Sequence, residues 1–351
     1  DSMFNFNLSV KIYRSIVNMA VYIIAEAGVN HNGKLDLAIQ LCDAAKEAGA
    51  DAIKFQTWKT EKIVTKSAAL ATYQHENINS KSQSQFEMLK ALELSYDDFR
   101  IIQTYCKKIG IEFLSTPDEE YSLQFLSTLN LPFIKLGSGE VTNIPYLKKV
   151  GALKKDVLLS TGMTYLSDVD IAYRTLLESG ATSVSLMHCT TNYPCPMNEV
   201  NLQAMQTLKY AFNCKVGYSD HTMGIEIPIA AVAMGAEIIE KHFTLDQEMD
   251  GPDHKASLNP MQLKDMIAAI RNIEKALGDG IKRPNKSELE ISKVVLKRIV
   301  ANCPIHKGEI LTEEKLTVKR SSYGINANLW ETIIGSQALY DFNTDEPIRI
   351  K

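Results

Sequence analysis

The chain has 351 residues, 45% of them apolar and 23% charged, which is enough for a full-sized core and more than one domain, since single cores stop growing near about 250–300 residues. With 38 Lys plus Arg against 42 Asp plus Glu the formal net charge is -4, and the absence of a basic block argues against nucleic acid or an anionic membrane as the main partner. No apolar run approaches the roughly 20 residues of a membrane helix, and no small-residue cleavage site follows an apolar stretch near the start, so a soluble protein is expected. The six cysteines form no C-x-x-C pair and sit mostly in apolar segments, as free thiols do in a reducing compartment, which makes the cytoplasm the expected location.

Residues 1–20 are read as an N-terminal extension or cloning remnant, with Met19 as a possible natural start, and are set apart from the fold. From Val21 onward short β-rich runs alternate with segments of helical period. Strands are expected at 21–25, 52–56, 112–115, 133–136, 157–160, 184–187, 215–219 and 238–242. Helices are expected at 35–48, 96–109, 119–129, 145–152, 167–178, 199–212, 226–235 and 260–277. In the first helix Ala38, Leu41, Cys42, Ala45 and Ala48 recur at spacings of three and four, and Gly49 stops it. Eight strand-helix units between residues 21 and 280 match the roughly 250 residues of a (β/α)8 TIM barrel. A doubly wound open sheet is the competitor, but its first turn would need G-x-G-x-x-G, and the chain reads Gly28-Val29-Asn30-His31-Asn32-Gly33. Residues 281–291 read as a polar linker, and 292–351 as a small, mostly β module with strands around Lys307-Gly308-Glu309, Tyr323-Gly324 and Gly335. So short a module needs a surface to pack on, its own barrel or a second subunit.

The active site of a parallel barrel lies at the C-terminal ends of its strands. Polar residues crowd there: Glu26, Lys54 and Gln56, Thr116, Lys135 with Ser138, Ser160, Tyr193 in the loop after strand 6, Ser219 with His221, and Glu240 with His242. Period-two alternation puts Lys54 with Gln56, Ser219 with His221, and Glu240 with His242 on common faces. On neighbouring strands about 4.8 Å apart, His221 and His242 can share one divalent cation, a Mn- or Mg-like ion rather than a closed tetrahedral zinc. The alternative is that each imidazole satisfies a hydrogen bond within the barrel. Lys54 and Lys135 lie in apolar runs and require an anion or carbonyl partner. Three readings stay open for them: a phosphate pocket with the nearby hydroxyls, ion pairs with Glu26 or Glu240, or a Schiff-base nucleophile. No H-E-x-x-H, Walker or G-x-S-x-G sequence is present, and Cys189 next to His188 makes a poor nucleophile pair because adjacent strand residues face opposite ways.

Taken in order, Ala25-Glu26-Ala27-Gly28-Val29-Asn30-His31-Asn32-Gly33, Lys54-Phe55-Gln56-Thr57, Ser115-Thr116-Pro117, Lys135-Leu136-Gly137-Ser138-Gly139-Glu140, Ser160-Thr161-Gly162-Met163, Gly217-Tyr218-Ser219-Asp220-His221-Thr222 and Glu240-Lys241-His242-Phe243-Thr244 resemble the bacterial sialic acid synthase family. These enzymes make N-acetylneuraminic and related nonulosonic acids, and the tail with Lys307-Gly308-Glu309 and Val318-Lys319-Arg320 looks like their antifreeze-like (SAF) domain. The resemblance implies condensation of phosphoenolpyruvate with an N-acylated mannosamine-type sugar, assisted by a divalent metal, Mn2+ first with Mg2+ or Co2+ as alternatives. It implies that His221 and His242 hold the metal, and that Lys54, Thr116, Lys135, Ser138, Ser160 and Ser219 bind phosphoenolpyruvate. Glu26, Gln56, Tyr193 and Asp253 would face the sugar, with Glu26 and Glu240 also counted as catalytic. Arg320 would reach into a partner's barrel, making the assembly a homodimer with swapped SAF domains.

Two departures point to the sugar. The neuraminate branch has Asn two residues before the Tyr of the strand 6 loop, where this chain has Thr191. Its sugar-contacting Asn falls near Ser82, in a loop that looks more like the legionaminic acid synthases, whose substrate is 2,4-diacetamido-2,4,6-trideoxymannose. N,N'-diacetyllegionaminate is therefore the expected product, with N-acetylneuraminate from N-acetylmannosamine as the alternative. A Schiff-base aldolase and a non-catalytic carbohydrate- or ice-binding protein are the more distant readings.

Overall fold

The computed structural model describes residues 20–70 and 84–350. The N-terminal extension up to Met19, and Ser82 with its neighbours, lie outside the described residues. The chain divides into two units, 1–279 and 280–351.

The first unit holds eight strands, β1 Tyr22–Gly28, β2 Ala52–Thr57, β3 Glu112–Pro117, β4 Ile134–Leu136, β5 Asp156–Ser160, β6 Ser183–His188, β7 Val216–Asp220 and β8 Ile238–His242. Their order in the sheet is β3-β2-β1-β8-β7-β6-β5-β4, every hydrogen-bonded pair between neighbours is parallel, and β3 also packs on β4, as the TIM barrel requires. The helices between and after them are α1 Leu35–Ala48, α2 Tyr96–Ile109, α3 Glu120–Ser127, α4 Ile144–Gly151, α5 Leu166–Glu178, α6 Gln203–Phe212, α7 Glu226–Ala233 and α8 Pro260–Leu277. Among the described residues, two short helices, Thr60–Ile63 and Gln85–Leu92, interrupt the connection from β2 to α2.

Alternation along the strands sorts side chains into two cores. Ile23, Ala25, Ile53, Phe55, Leu159 and Ile239 point outward and meet the helices, where α1 buries the five residues its spacing marks. Ile24, Ala52, Leu114, Leu158 and Met187 point inward and fill the barrel above Tyr22, Phe133 and Ile238. One step further along the same inward rows stand Glu26, Lys54, Thr116, Lys135, Ser160 and Glu240, all buried. The apolar plug is thus the floor of the polar site. Helix ends are fixed locally: Ser95 with Asp98 opens α2 and Asn259 with Gln262 opens α8, each as a capping box.

In the second unit β9 Lys297–Ala301 pairs antiparallel with β10 Leu316–Arg320 over a small core that includes Ile299, Ile305, Leu316, Phe342 and Ile348. Two sequence expectations change here. The stretch 281–291 is not wholly extended linker, because Lys286–Val295 forms a helix, α9, opened by an Asn285 and Glu288 capping box. Lys307-Gly308-Glu309, Tyr323-Gly324 and Gly335 are turns rather than strands, with the glycines at φ 89°, 104° and 81°, a region other residues avoid.

Replacing Leu114 by Ala should cost about 2–5 kcal/mol of stability, because the plug has layers above and below and collapses poorly. Urea unfolding followed by circular dichroism measures it, and the loss should not come from the surface-exposed Tyr210→Ala, which serves as the control.

Candidate active site

Glu26, Lys54, Gln56, Thr116, Lys135, Ser138, Ser160, Tyr193, Ser219, His221, Glu240 and His242 line one cleft at the C-terminal ends of the strands. Strand register explains the charges that meet there. Glu26 is the direct neighbour of Lys54 on one side and of His242 on the other, and Ser219 is the neighbour of Glu240. Lys54 Nζ lies 2.8 Å from Glu26 Oε2 and 3.6 Å from Glu240 Oε2, and Lys135 Nζ lies 3.4 Å from Glu240 Oε1. Lys54 also donates to Thr116 Oγ1 at 3.0 Å, Lys135 to Ser160 Oγ at 2.9 Å, and Ser219 to Glu240 Oε1 at 2.9 Å. Contacts between the two buried lysines and Glu26 and Glu240, anticipated as one answer to their burial, are present.

Burial and these neighbours drive the carboxyls apart. Burial raises Glu26 to about 8, only partly offset by Lys54. Burial works the same way on Glu240, but Lys135, Lys54 and the Ser219 hydroxyl outweigh it and hold the group at about 2. Near neutrality one carboxyl is therefore protonated and the other ionised, the arrangement that divides acid from base. Burial lowers Lys135, whereas Lys54, although burial opposes it, is raised by Glu240 and Glu26.

The two imidazole rings have centroids 5.5 Å apart, and the Tyr193 ring stands 4.2 Å from His221 and 5.6 Å from His242. His221 Nδ1 meets the Thr190 carbonyl at 2.7 Å; since a carbonyl only accepts, Nδ1 carries the proton and Nε2 keeps its lone pair. His242 Nδ1 is buried with no hydrogen-bond partner, and Glu26 Oε1 is in the same condition. Burial keeps both rings neutral, more strongly for His242, which also faces His221. Among the described residues no group of three or more His, Cys, Asp or Glu side chains is gathered as a cation cage. Two neutral nitrogen donors with orphaned polar atoms beside them fit an ion that takes its remaining ligands from substrate and water.

Asp253 stands just outside this ring, its Oδ2 3.9 Å from His242 Nδ1. It is carried by the loop after β8, which Asn30 pins by donating to the Phe243 carbonyl at 2.8 Å and to Ser257 Oγ at 2.9 Å, while Ser257 Oγ donates to the Asp253 carbonyl at 2.6 Å. A bulge between Glu26 and Gly28 lets β1 turn toward this loop. Gly28 takes φ 51°, and a Cβ there would lie 3.4 Å from both Glu26 Oε1 and His242 Cε1. Arg320 is exposed at the end of β10 in the second unit. The cleft also contains Asp118, Gly137 and Cys189, which reading the sequence alone did not single out as site residues. Asp118 is two residues beyond Thr116 and so shares its face, and burial lifts it to about 7. Cys189 Sγ lies 3.2 Å from Ser138 Oγ, which accepts from the Gly162 N–H at 2.9 Å, and burial raises the thiol, so it stays protonated. His188 turns away, to the Val200 carbonyl at 2.7 Å, so the two make no nucleophile pair.

A parallel eight-stranded barrel with buried lysines, paired carboxyls of opposite protonation and two neutral imidazoles at its mouth is the framework of an enzyme that handles small anionic substrates. Residues 41–282 match the NeuB family and residues 298–351 the SAF domain. The chain is 49% identical over 329 residues to the N,N'-diacetyllegionaminic acid synthase of Campylobacter jejuni subsp. jejuni serotype O:2, covering 93% of this chain and 98% of that protein. It is 45% identical to the N,N'-diacetyllegionaminic acid synthase of Legionella pneumophila subsp. pneumophila, over 91% of each. A solved N-acetylneuraminic acid synthetase from Leptospira borgpetersenii serovar Hardjo-bovis, in complex with citrate, superposes with a TM-score of 0.70 at 35% identity, covering 78% of this chain and 90% of that one. The chain belongs to the NeuB family. Among the described residues no helix is long and apolar enough to cross a membrane.

If Glu26 holds its proton at neutral pH, infrared spectra of metal-stripped protein should show a protonated carboxyl band that fades as pH rises through about 8 and is missing in Glu26→Gln. In that window the native state keeps a proton the unfolded chain has lost, so Glu26 makes stability fall as pH climbs from about 4.5 to 8.

Proposed function

We propose that this protein condenses phosphoenolpyruvate with an N-acylated mannosamine-type sugar to give a nonulosonic acid and phosphate, and that its product is N,N'-diacetyllegionaminate from 2,4-diacetamido-2,4,6-trideoxymannose. The observation that carries the reading is the convergence of two buried lysines, two carboxyls of opposite protonation and two neutral imidazoles on one cleft of a NeuB-family barrel. The choice of sugar is supported by Thr191 and by the names of the two legionaminic acid synthases reported above.

Lys54 and Lys135, with Thr116, Ser138, Ser160 and Ser219, bind the phosphate and carboxylate of phosphoenolpyruvate, exchanging their carboxylate partners for those anions. Gln56, Tyr193, Asp253 and Glu26 orient the sugar. His221 and His242 would hold a divalent cation, Mn2+ by preference with Mg2+ or Co2+ as alternatives, which when bound would supply Lewis-acid polarisation of the sugar aldehyde. C3 of the enol attacks the aldehyde carbon, and Glu26, which carries a proton near neutrality, gives it to the oxygen that becomes a hydroxyl. Water adds to C2, with ionised Glu240 orienting it and taking its proton. The bond from C2 to the phosphate oxygen then breaks, the C2 hydroxyl gives its proton to the departing phosphate, and C2 becomes the keto carbon. Lys54 is raised by Glu240 and Glu26 against the pull of burial, which disfavours the Schiff-base alternative at that position.

We assign residues 21–280 to catalysis and 292–351 to the SAF module, and propose a homodimer in which each module serves the other barrel through Arg320. Every residue of α9 is outside any core, and Leu289, Ile291, Val294 and Val295 are exposed, an apolar surface that a second copy would cover. A reducing cytoplasmic location suits the six unpaired cysteines.

The deciding assay is phosphate release from phosphoenolpyruvate with Mn2+, comparing the 2,4-diacetamido-2,4,6-trideoxy sugar with N-acetylmannosamine. The first should give the larger kcat/KM, and a preference for the second would move the assignment to N-acetylneuraminate. No release with either sugar, or a lysine trapped by borohydride in the presence of a keto acid, would overturn the condensation itself. Arg320→Ala should raise the KM for sugar several-fold more than that for phosphoenolpyruvate; equal effects would contradict its proposed place.

A further inference from the structure

On β7 and β8 the residues between the cleft-facing ones turn the other way and form a polar cluster of their own. Asp220 and Lys241 are both 0% exposed, with Lys241 Nζ 2.5 Å from Asp220 Oδ2. Lys241 also donates to the Thr222 carbonyl at 2.5 Å. Asp220 accepts from the Tyr218 hydroxyl at 3.1 Å, from the Thr222 N–H at 3.2 Å and from the Thr222 hydroxyl at 3.0 Å. Each of these bonds ends on a residue next to His221 or next to His242.

The position of this cluster matters more than its charge. The parallel ladder between β7 and β8 runs Tyr218 to Ile239, Ser219 to Glu240 and Asp220 to Lys241, and it stops there. His221 is the first residue beyond the ladder, so strand pairing no longer fixes its distance from β8. Asp220, Lys241 and Thr222 bridge the gap: one ion pair joins the strand ends, and one hydroxyl and one carbonyl fold the turn after His221 back onto that pair. From the other side the Cys195 N–H donates to the His221 carbonyl at 2.8 Å. A wholly buried ion pair is a poor source of stability compared with apolar packing of the same volume, and its best-attested use is to impose one geometry.

We propose that Asp220, Lys241 and Thr222 are positioning residues that hold the His221 and His242 imidazoles at one fixed separation, and thereby set the affinity of the cleft for a divalent cation. This rests on the reading that those two rings bind the ion. Supporting groups behind metal-binding histidines commonly change affinity by about 10–100-fold when removed.

The test is Mn2+ binding to metal-stripped full-length protein, read from the free-ion paramagnetic resonance signal, with circular dichroism confirming the fold. Thr222→Val keeps the buried ion pair and the volume but removes the hydroxyl, and should weaken Mn2+ binding about tenfold, with Thr222→Ser restoring it. Asp220→Asn should weaken it further, toward 100-fold. Arg271→Met is the stability control, since Arg271 bonds Asp51 at 2.8 Å and the Val21 carbonyl at 2.8 Å at the far end of the barrel. It should lower the melting temperature and leave Mn2+ affinity unchanged. If wild-type protein takes up no Mn2+, or His221→Ala binds it as well as wild type, the metal reading fails and the clamp with it. If wild type binds and His221→Ala does not, while folded Thr222→Val matches wild type, the clamp alone is overturned.

Discussion

Two ammonium groups held almost out of reach of water govern this protein. Lys54 and Lys135 are 2% and 3% exposed, and a buried charge deprived of its partner costs about 3–5 kcal/mol. The barrel answers with carboxyl groups set against both: Glu26 meets Lys54 at 2.8 Å, and the ionised Glu240 stands between the two lysines, 3.6 Å from Lys54 and 3.4 Å from Lys135. The strand order explains how this is reached. β1 stands between β2 and β8, so Glu26 and Glu240 come from adjacent strands, while Lys135 reaches Glu240 across the barrel from β4. Both lysines thus have carboxyl partners in place, drawn from two neighbouring strands.

The same crowding separates the behaviour of otherwise identical groups. Glu26 and Glu240 have the same chemistry and nearly the same burial, yet one is pushed up to about 8, where the lysines only partly offset burial and the Glu240 charge adds to it, and the other is held at about 2, where Lys135, Lys54 and the Ser219 hydroxyl outweigh burial. The imidazoles respond to burial by staying neutral, which leaves nitrogen lone pairs available. Acid, base and electron-pair donor thus coexist near neutral pH through placement alone.

Much of the barrel is legible in the sequence because parallel strands buried on both faces read as β-rich runs, and helices between them show one apolar stripe. Period-two alternation extends that legibility to the cleft, since Lys54, Glu240 and their companions fall on the inward rows that Ile24 and Leu114 mark lower down. What escaped did so for physical reasons. Asp118 follows Pro117, a residue that suggests a strand has already ended, although β3 runs through it. Cys189 is as apolar as a core residue and gives no sign that it faces a polar cleft. In the second unit glycines mark turns rather than strand centres, and α9 begins with Lys286, Ser287 and Glu288, which look like linker, while its apolar residues pack on nothing in either core. Arg320 is the opposite case: nothing in a single chain's pattern says which barrel an exposed arginine would serve.

The bulge in β1 has a consequence for how these chains can vary. Ala27 is the surplus residue there, for Glu26 is level with Lys54 and Gly28 with Phe55. It acts as slack of one residue, about 3.3 Å, between the Glu26 carboxyl, set against Lys54, and the Asn30 anchor of the β8 loop. A longer or shorter loop there could be absorbed in this kink, with the lysines and imidazoles left where they are.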